Sequence, residues 1–61
     1  MTYYAIRADA QSPYTEQDVV AQADSYLACS DAARVATGWV VTGHDAPGTA
    51  PYFIINWCPW Q

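Results

Sequence analysis

Three short segments of the chain arrange apolar side chains in the way that β-strands do. Residues 2–8 alternate between two faces, of which the one with Tyr4 and Ile6 is expected to point inward. Residues 39–43 and 52–57 are rich in β-branched and aromatic side chains, and the loop between them contains a Pro-Gly pair that marks a turn. The last two segments are therefore predicted to form an antiparallel hairpin.

The segment that follows the first strand carries a helical period. Thr15 suits an N-cap position, because the acidic residues in the turn after it lie where the helix dipole favours negative charge. The apolar side chains that follow fall on one arc about 120° wide: Val19, Val20, Ala23, Tyr26 and Leu27. Since this period breaks at Ser30, we interpret Ser30 as a second N-cap, followed by a short helix at 31–36 that Gly38 ends. A strand over residues 19–26 is the alternative, which the cap and the period disfavour.

These elements predict an α+β fold in a single small domain over residues 1–61. Its layout is strand, helix, helix and hairpin, which gives a three-stranded, mainly antiparallel sheet with the helices packed on one face. A chain of 61 residues has room for one core and buries only about 60% of the surface that its unfolded form exposes. Its nine aromatic side chains distinguish it from disordered sequences, so we expect it to fold.

The charged residues are few and strongly unbalanced. The chain has two arginines, Arg7 and Arg34, no lysine, and six carboxylates: Asp9, Glu16, Asp18, Asp24, Asp31 and Asp45. Two separated arginines cannot form the basic patch that direct binding to nucleic acid or to anionic lipid requires. The excess of acids favours a protein partner with a basic surface, although it would also serve simply to keep a small protein soluble.

Neither a targeting signal nor a membrane-spanning segment is expected. The first residues lack a basic region followed by an apolar one, and the longest apolar runs are too short to cross a bilayer. The expected location is therefore the cytoplasm. In that reducing compartment we expect Cys29 and Cys58 to be free thiols, with a disulfide between the helical segment and the C-terminal tail as the alternative.

No set of residues points to catalysis, a cofactor or a metal. His44 and Asp45 are the only histidine–acid pair, and no nucleophile in a defined turn accompanies them. The two cysteines are far apart in the sequence and the three glycines are isolated, so neither zinc-site spacing nor a phosphate loop is present. We therefore expect a protein that acts by binding and not as an enzyme.

Aromatic side chains exceed what so small a core uses. Trp57 and Trp60 lie close together at the C-terminus, where they either close over the core or form a contact patch, because Trp and Tyr commonly anchor protein interfaces. We expect a partner-binding surface in which carboxylates meet Arg or Lys side chains and two tyrosines add apolar contacts: Glu16, Asp18, Asp24, Asp31, Tyr14 and Tyr26.

In length, acidity and strand–helix–hairpin layout, the whole chain resembles the small anti-CRISPR inhibitors that phages and mobile elements encode, a class without a common motif. The resemblance implies an inhibitor that binds a basic surface of a CRISPR effector complex in a bacterial host cell and blocks DNA binding or nuclease recruitment. Because the six acids are few and dispersed, a steric plug with an acidic face fits better than a full mimic of DNA. The alternative is a structural or oligomerisation module, such as a small phage assembly protein.

Overall fold

The computed structural model describes residues 1–39 and 50–60, which contain three strands, one α-helix and one 3-10 turn. The strands form one antiparallel sheet in the order β2-β1-β3, and α1 packs on one of its faces. In chain order the elements are β1 (Tyr3–Arg7), the 3-10 turn (Glu16–Asp18), β2 (Val19–Ala23), α1 (Tyr26–Thr37) and β3 (Tyr52–Ile55). The predicted α+β class with a three-stranded antiparallel sheet is confirmed, although the order of its elements differs.

The first predicted helix is wrong, and the alternative that was set aside, a strand in this part of the chain, is correct. Thr15 begins only the 3-10 turn, after which β2 pairs with β1. A β-bulge explains the misleading period: Ala5 pairs with Ala21 and Ile6 with Val19, which leaves Val20 as the extra residue. The bulge interrupts the two-residue alternation, and adjacent β-branched residues favour a strand over a helix.

The described residues contain one α-helix, α1, which includes the short helix predicted at 31–36 and begins five residues earlier, at Tyr26. Its N-cap is Ser25, whose side-chain oxygen accepts a hydrogen bond from the amide of Ala28 at 3.2 Å. Ser30 lies inside the helix, where its hydroxyl is 3.2 Å from the hydroxyl of Tyr52 on β3. This partner explains why a polar residue is tolerated on the inward side. Gly38 ends the helix as predicted, with a φ of 71° that favours glycine.

The predicted hairpin falls mostly on residues that the structure does not describe. Residues 40–43 of its first strand and residues 44–49 of its loop lie outside the described ranges. The second strand of that hairpin is present as β3, which pairs with β1 in antiparallel register.

Small side chains bring the helix close to the sheet. Ala5 of β1 and Cys29 and Ala33 of α1 have no exposed surface, and Tyr52 of β3 completes this buried cluster. Since side chains alternate along a strand, Ala5 places the helix on the opposite face from the one expected for Tyr4 and Ile6. The core between helix and sheet therefore depends on the absence of bulk at Ala5 and Ala33.

The second face of the sheet is covered by irregular chain. Ile6 is fully buried on that face, although no helix of residues 1–39 and 50–60 packs there. Its register partner on β3, Phe53, contacts Tyr14 edge to face at 5.5 Å between ring centroids. Trp60 contacts Tyr4 in the same manner at 5.3 Å. The loop before the 3-10 turn and the C-terminal tail thus act as the second cover of the sheet.

The sheet also separates the two cysteines, both of which are free thiols. Cys29 lies in the core beneath the helix, where burial raises the pKa of its thiol. Cys58 lies on the other face, in a groove that Tyr4 also lines. A disulfide between them is therefore absent because the sheet stands between the two sulfur atoms.

We expect Ala33→Leu to lower the free energy of unfolding by about 1–3 kcal/mol, because the larger side chain would overpack the contact between helix and sheet. Ala32→Leu is the matched control, since Ala32 is exposed on the same helix and its replacement should change stability by less than about 0.5 kcal/mol. Urea unfolding followed by circular dichroism measures both. Equal midpoints for the two variants would contradict the close packing described here.

Candidate functional site

The expected site residue Asp18 is held inside the fold by an ion pair. Its Oδ1 accepts a hydrogen bond from Nη2 of Arg7 at 2.6 Å, and its Oδ2 accepts one from the amide of Thr15 at 3.0 Å. Only 8% of the residue is exposed. The hydrogen bond from Arg7, followed by that from Thr15, lowers the pKa of the Asp18 carboxyl. Both carboxylate oxygens thus accept hydrogen bonds within the chain, and the one from Arg7 links β1 to the 3-10 turn.

The remaining arginine contacts are also with acids of the chain itself. Arg7 makes a second ion pair with Asp9 at 3.3 Å, and Arg34 pairs with Asp31 one turn earlier in α1. Both arginine side chains are therefore bound by carboxylates. Glu16 and Asp24 are exposed and form no ion pair within residues 1–39 and 50–60. Of the acids expected at the site, these two are the ones without an ion pair in the described part of the chain.

The two tyrosines expected at the site lie on opposite faces of the sheet. Tyr14 packs against Phe53 on the face away from the helix. Tyr26, the first residue of α1, contacts Tyr3 edge to face at 6.2 Å and is 56% exposed. The structure therefore does not join Tyr14 and Tyr26 into one apolar patch.

An open groove of about 410 Å³ brings one of the unpaired acids next to aromatic rings. We call it the tail groove, because the C-terminal tail forms one side of it; its lining residues are Tyr4, Glu16, Val19, Gln22, Cys58 and Trp60. Partial burial, with a smaller contribution from Cys58, raises the pKa of the Tyr4 phenol. The phenol is therefore neutral at neutral pH, and Glu16 is the acidic residue that lines the groove.

A second open groove, of about 340 Å³, lies where β3 ends and α1 begins. Its lining is mainly apolar and aromatic and consists of Tyr3, Tyr26, Ile54, Ile55, Asn56 and Trp57. Trp57 is 53% exposed, whereas Trp60 is half-buried against Tyr4. The sequence left two alternatives open for the C-terminal tryptophans, a cover over the core or an exposed contact patch. Trp60 covers the sheet, and Trp57 presents exposed surface.

The tail groove could not be assembled from the sequence because the first helix was misplaced. On a strand that starts at Val19, the bulge next to Ile6 moves Val19 and Gln22 to the same face as Tyr4. The available signal was the pair of valines directly after the acidic turn, which is typical of a strand.

Comparison with known proteins adds no assignment. No family model matches the chain, and searches among characterised proteins and among solved structures gave no match either. In the part of the chain that the structure describes, no helix is both long and apolar enough to traverse a bilayer. The same residues contain no group of three His, Cys, Asp or Glu side chains placed to hold a metal ion.

We expect the ion pair of Asp18 to make stability depend on pH in the acid range. Because the folded-state pKa of Asp18 is lowered, its ionised form stabilises the fold above about pH 4, and this contribution is lost as the pH falls through the folded-state value. In Asp18→Asn, the urea midpoint should be lower at neutral pH and should fall less on acidification than in the original protein.

Asp31→Asn is the control for that experiment, since Asp31 is an exposed partner in a surface ion pair. Its midpoint should follow the pH profile of the original protein closely. If the profiles of Asp18→Asn and the original protein ran parallel, the stabilising role of the Arg7–Asp18 pair would be refuted.

Proposed function

We propose that this chain is a small acidic inhibitor that acts by binding a protein. Its partner would be a basic surface of a nucleic-acid-handling defence complex, such as a CRISPR effector, in the cytoplasm of a bacterial host cell. On this proposal the protein comes from a phage or mobile element and blocks DNA binding or nuclease recruitment. The observation that carries the proposal is the distribution of charge: both arginines are bound by carboxylates, while Glu16 and Asp24 remain unpaired among the described residues.

This charge distribution suits competition for groups that bind phosphate. Nucleic-acid-binding surfaces attract DNA with Lys and Arg side chains, and exposed carboxylates are attracted to the same groups. With a net charge of −4 and its arginines already paired, the chain would approach such a surface without a competing basic patch of its own. Electrostatic attraction of this kind accelerates association and weakens as salt is added.

A steric plug fits the structure better than a replica of the phosphate backbone. Glu16 lies in the 3-10 turn, and Asp24 lies in the connection between β2 and α1. Asp18 and Asp31 are engaged by arginines, so the unpaired acids do not form a regular row. The proposed mechanism is therefore occlusion by the body of the domain, with the acids guiding its approach.

The proposal predicts co-purification with a CRISPR effector complex and competition with its DNA. We expect Glu16→Gln/Asp24→Asn to slow association about ten-fold at low salt and to flatten its salt dependence, because two unpaired charges are lost. Surface plasmon resonance against immobilised effector measures the rates.

Asp9→Asn/Asp31→Asn changes the net charge by the same amount, but at carboxylates that are already paired with arginines. Its association with the effector should therefore slow by less than that of Glu16→Gln/Asp24→Asn. Lack of co-purification with every effector complex tested would refute the proposed inhibitor.

A structural or oligomerisation module is the second candidate, and one feature of α1 favours it. Leu27 and Val35 are 75% and 85% exposed on the outward side of the helix. At 100° per residue Val35 lies 20° from the exposed Ala28 and 60° from the exposed Ala32, whereas Leu27 lies 80° from Val35, with Asp31 between them. Exposed apolar side chains arranged in this way are a feature of helices that pack against another chain.

For the inhibitor, we expect multi-angle light scattering to show a monomer at about 10 µM, because a 12-residue helix alone offers less contact area than a stable dimer needs. A defined oligomer at that concentration, converted to monomer by Leu27→Lys/Val35→Lys, would instead favour the assembly module. Ala28→Lys/Ala32→Lys, which adds the same charge without removing large apolar side chains, separates loss of apolar contact from charge repulsion.

A further inference from the structure

The tail groove combines three features on one surface: a carboxylate, an aromatic pair and an aliphatic wall. Glu16 supplies the carboxylate, and the rings of Tyr4 and Trp60 meet at an interplanar angle of 73°. Val19 contributes a branched aliphatic side chain, and Gln22 adds an amide that can accept a hydrogen bond. The bulge in β2 and the return of the C-terminal tail bring these groups together.

The electrostatics of the groove select a cation. Glu16 is exposed and forms no ion pair among the described residues, so its charge is directed to solvent. Aromatic faces attract cations through their quadrupole, and a neutral Tyr4 phenol retains that property. An anionic ligand would be repelled by Glu16. An uncharged apolar ligand would remove water from the carboxylate and offer no hydrogen bond in place of the water.

We propose that the tail groove binds an arginine side chain of the protein partner. The planar guanidinium would stack on the Tyr4–Trp60 pair and donate hydrogen bonds to Glu16 and Gln22, while its methylene stem would contact Val19. Arginine is favoured over lysine because the ammonium group of lysine is compact, strongly hydrated and unable to stack. This inference rests on the proposed function, whose basic partner it makes specific.

The test is an NMR titration of the ¹⁵N-labelled protein with the blocked peptide acetyl-Gly-Arg-Gly-amide, compared with the corresponding lysine peptide. We expect the largest shifts at the Trp60 indole and at the amides of Glu16, Val19 and Gln22. The arginine peptide should bind at least about three-fold more tightly than the lysine peptide, because only arginine stacks on the rings.

Glu16→Gln should weaken binding of the arginine peptide about five-fold, since it removes the charge and keeps the shape of the side chain. Asp9→Asn is the matched control: it removes the same charge at an exposed position outside the groove and should change the affinity less than about two-fold. Retained spectra outside the groove show that each variant is folded.

Absence of arginine-peptide binding, shifts scattered over the surface, or equal effects of the two substitutions would overturn the groove assignment. The proposed inhibitor would stand if the effector complex still co-purified. Conversely, arginine binding in the groove without any effector partner would leave the site in place and refute the proposed function.

Discussion

The ion pair between Arg7 and Asp18 determines how the first half of the chain is arranged. Arg7 is the last residue of β1, and Asp18 is the last residue of the 3-10 turn that leads directly into β2. Asp18 also accepts a hydrogen bond from the amide of Thr15 and so holds the start of the same turn. The pair thereby ties the end of β1 to the turn that contains Glu16 and from which β2 starts. It also pairs the positive charge of Arg7, whose side chain is 47% exposed, with a carboxylate of the chain itself.

Several features of the fold follow from local sequence signals that act over a few residues. The strands around Tyr4 and Tyr52, the cap at Thr15 and the glycine at Gly38 were all predictable, because each depends on the conformational preference of the residues themselves. The α+β class followed from the same signals. The excess of acidic over basic residues was equally predictable, since it follows from the composition of the sequence.

Features that depend on distant partners were not predictable in this way. Val19 and Val20 imitate a helical stripe because a bulge, created by pairing with β1, interrupts the alternation of the strand. Ser30 resembles an N-cap until the hydroxyl of Tyr52, 22 residues away, is placed beside it. The commitment of Asp18 to Arg7, 11 residues earlier, likewise needs the tertiary structure. Each error arose where a long-range contact outweighed a local preference.

The placement of Cys29 and Cys58 on opposite faces of the sheet has a consequence for oxidation chemistry. An internal cross-link would require the sheet to come apart, so the described fold gains no disulfide in an oxidising environment. The buried Cys29 thiol is protected by its raised pKa and by the surrounding core. Of the two thiols, Cys58 is therefore the one that oxidants would reach first, and its modification would alter the wall of the tail groove.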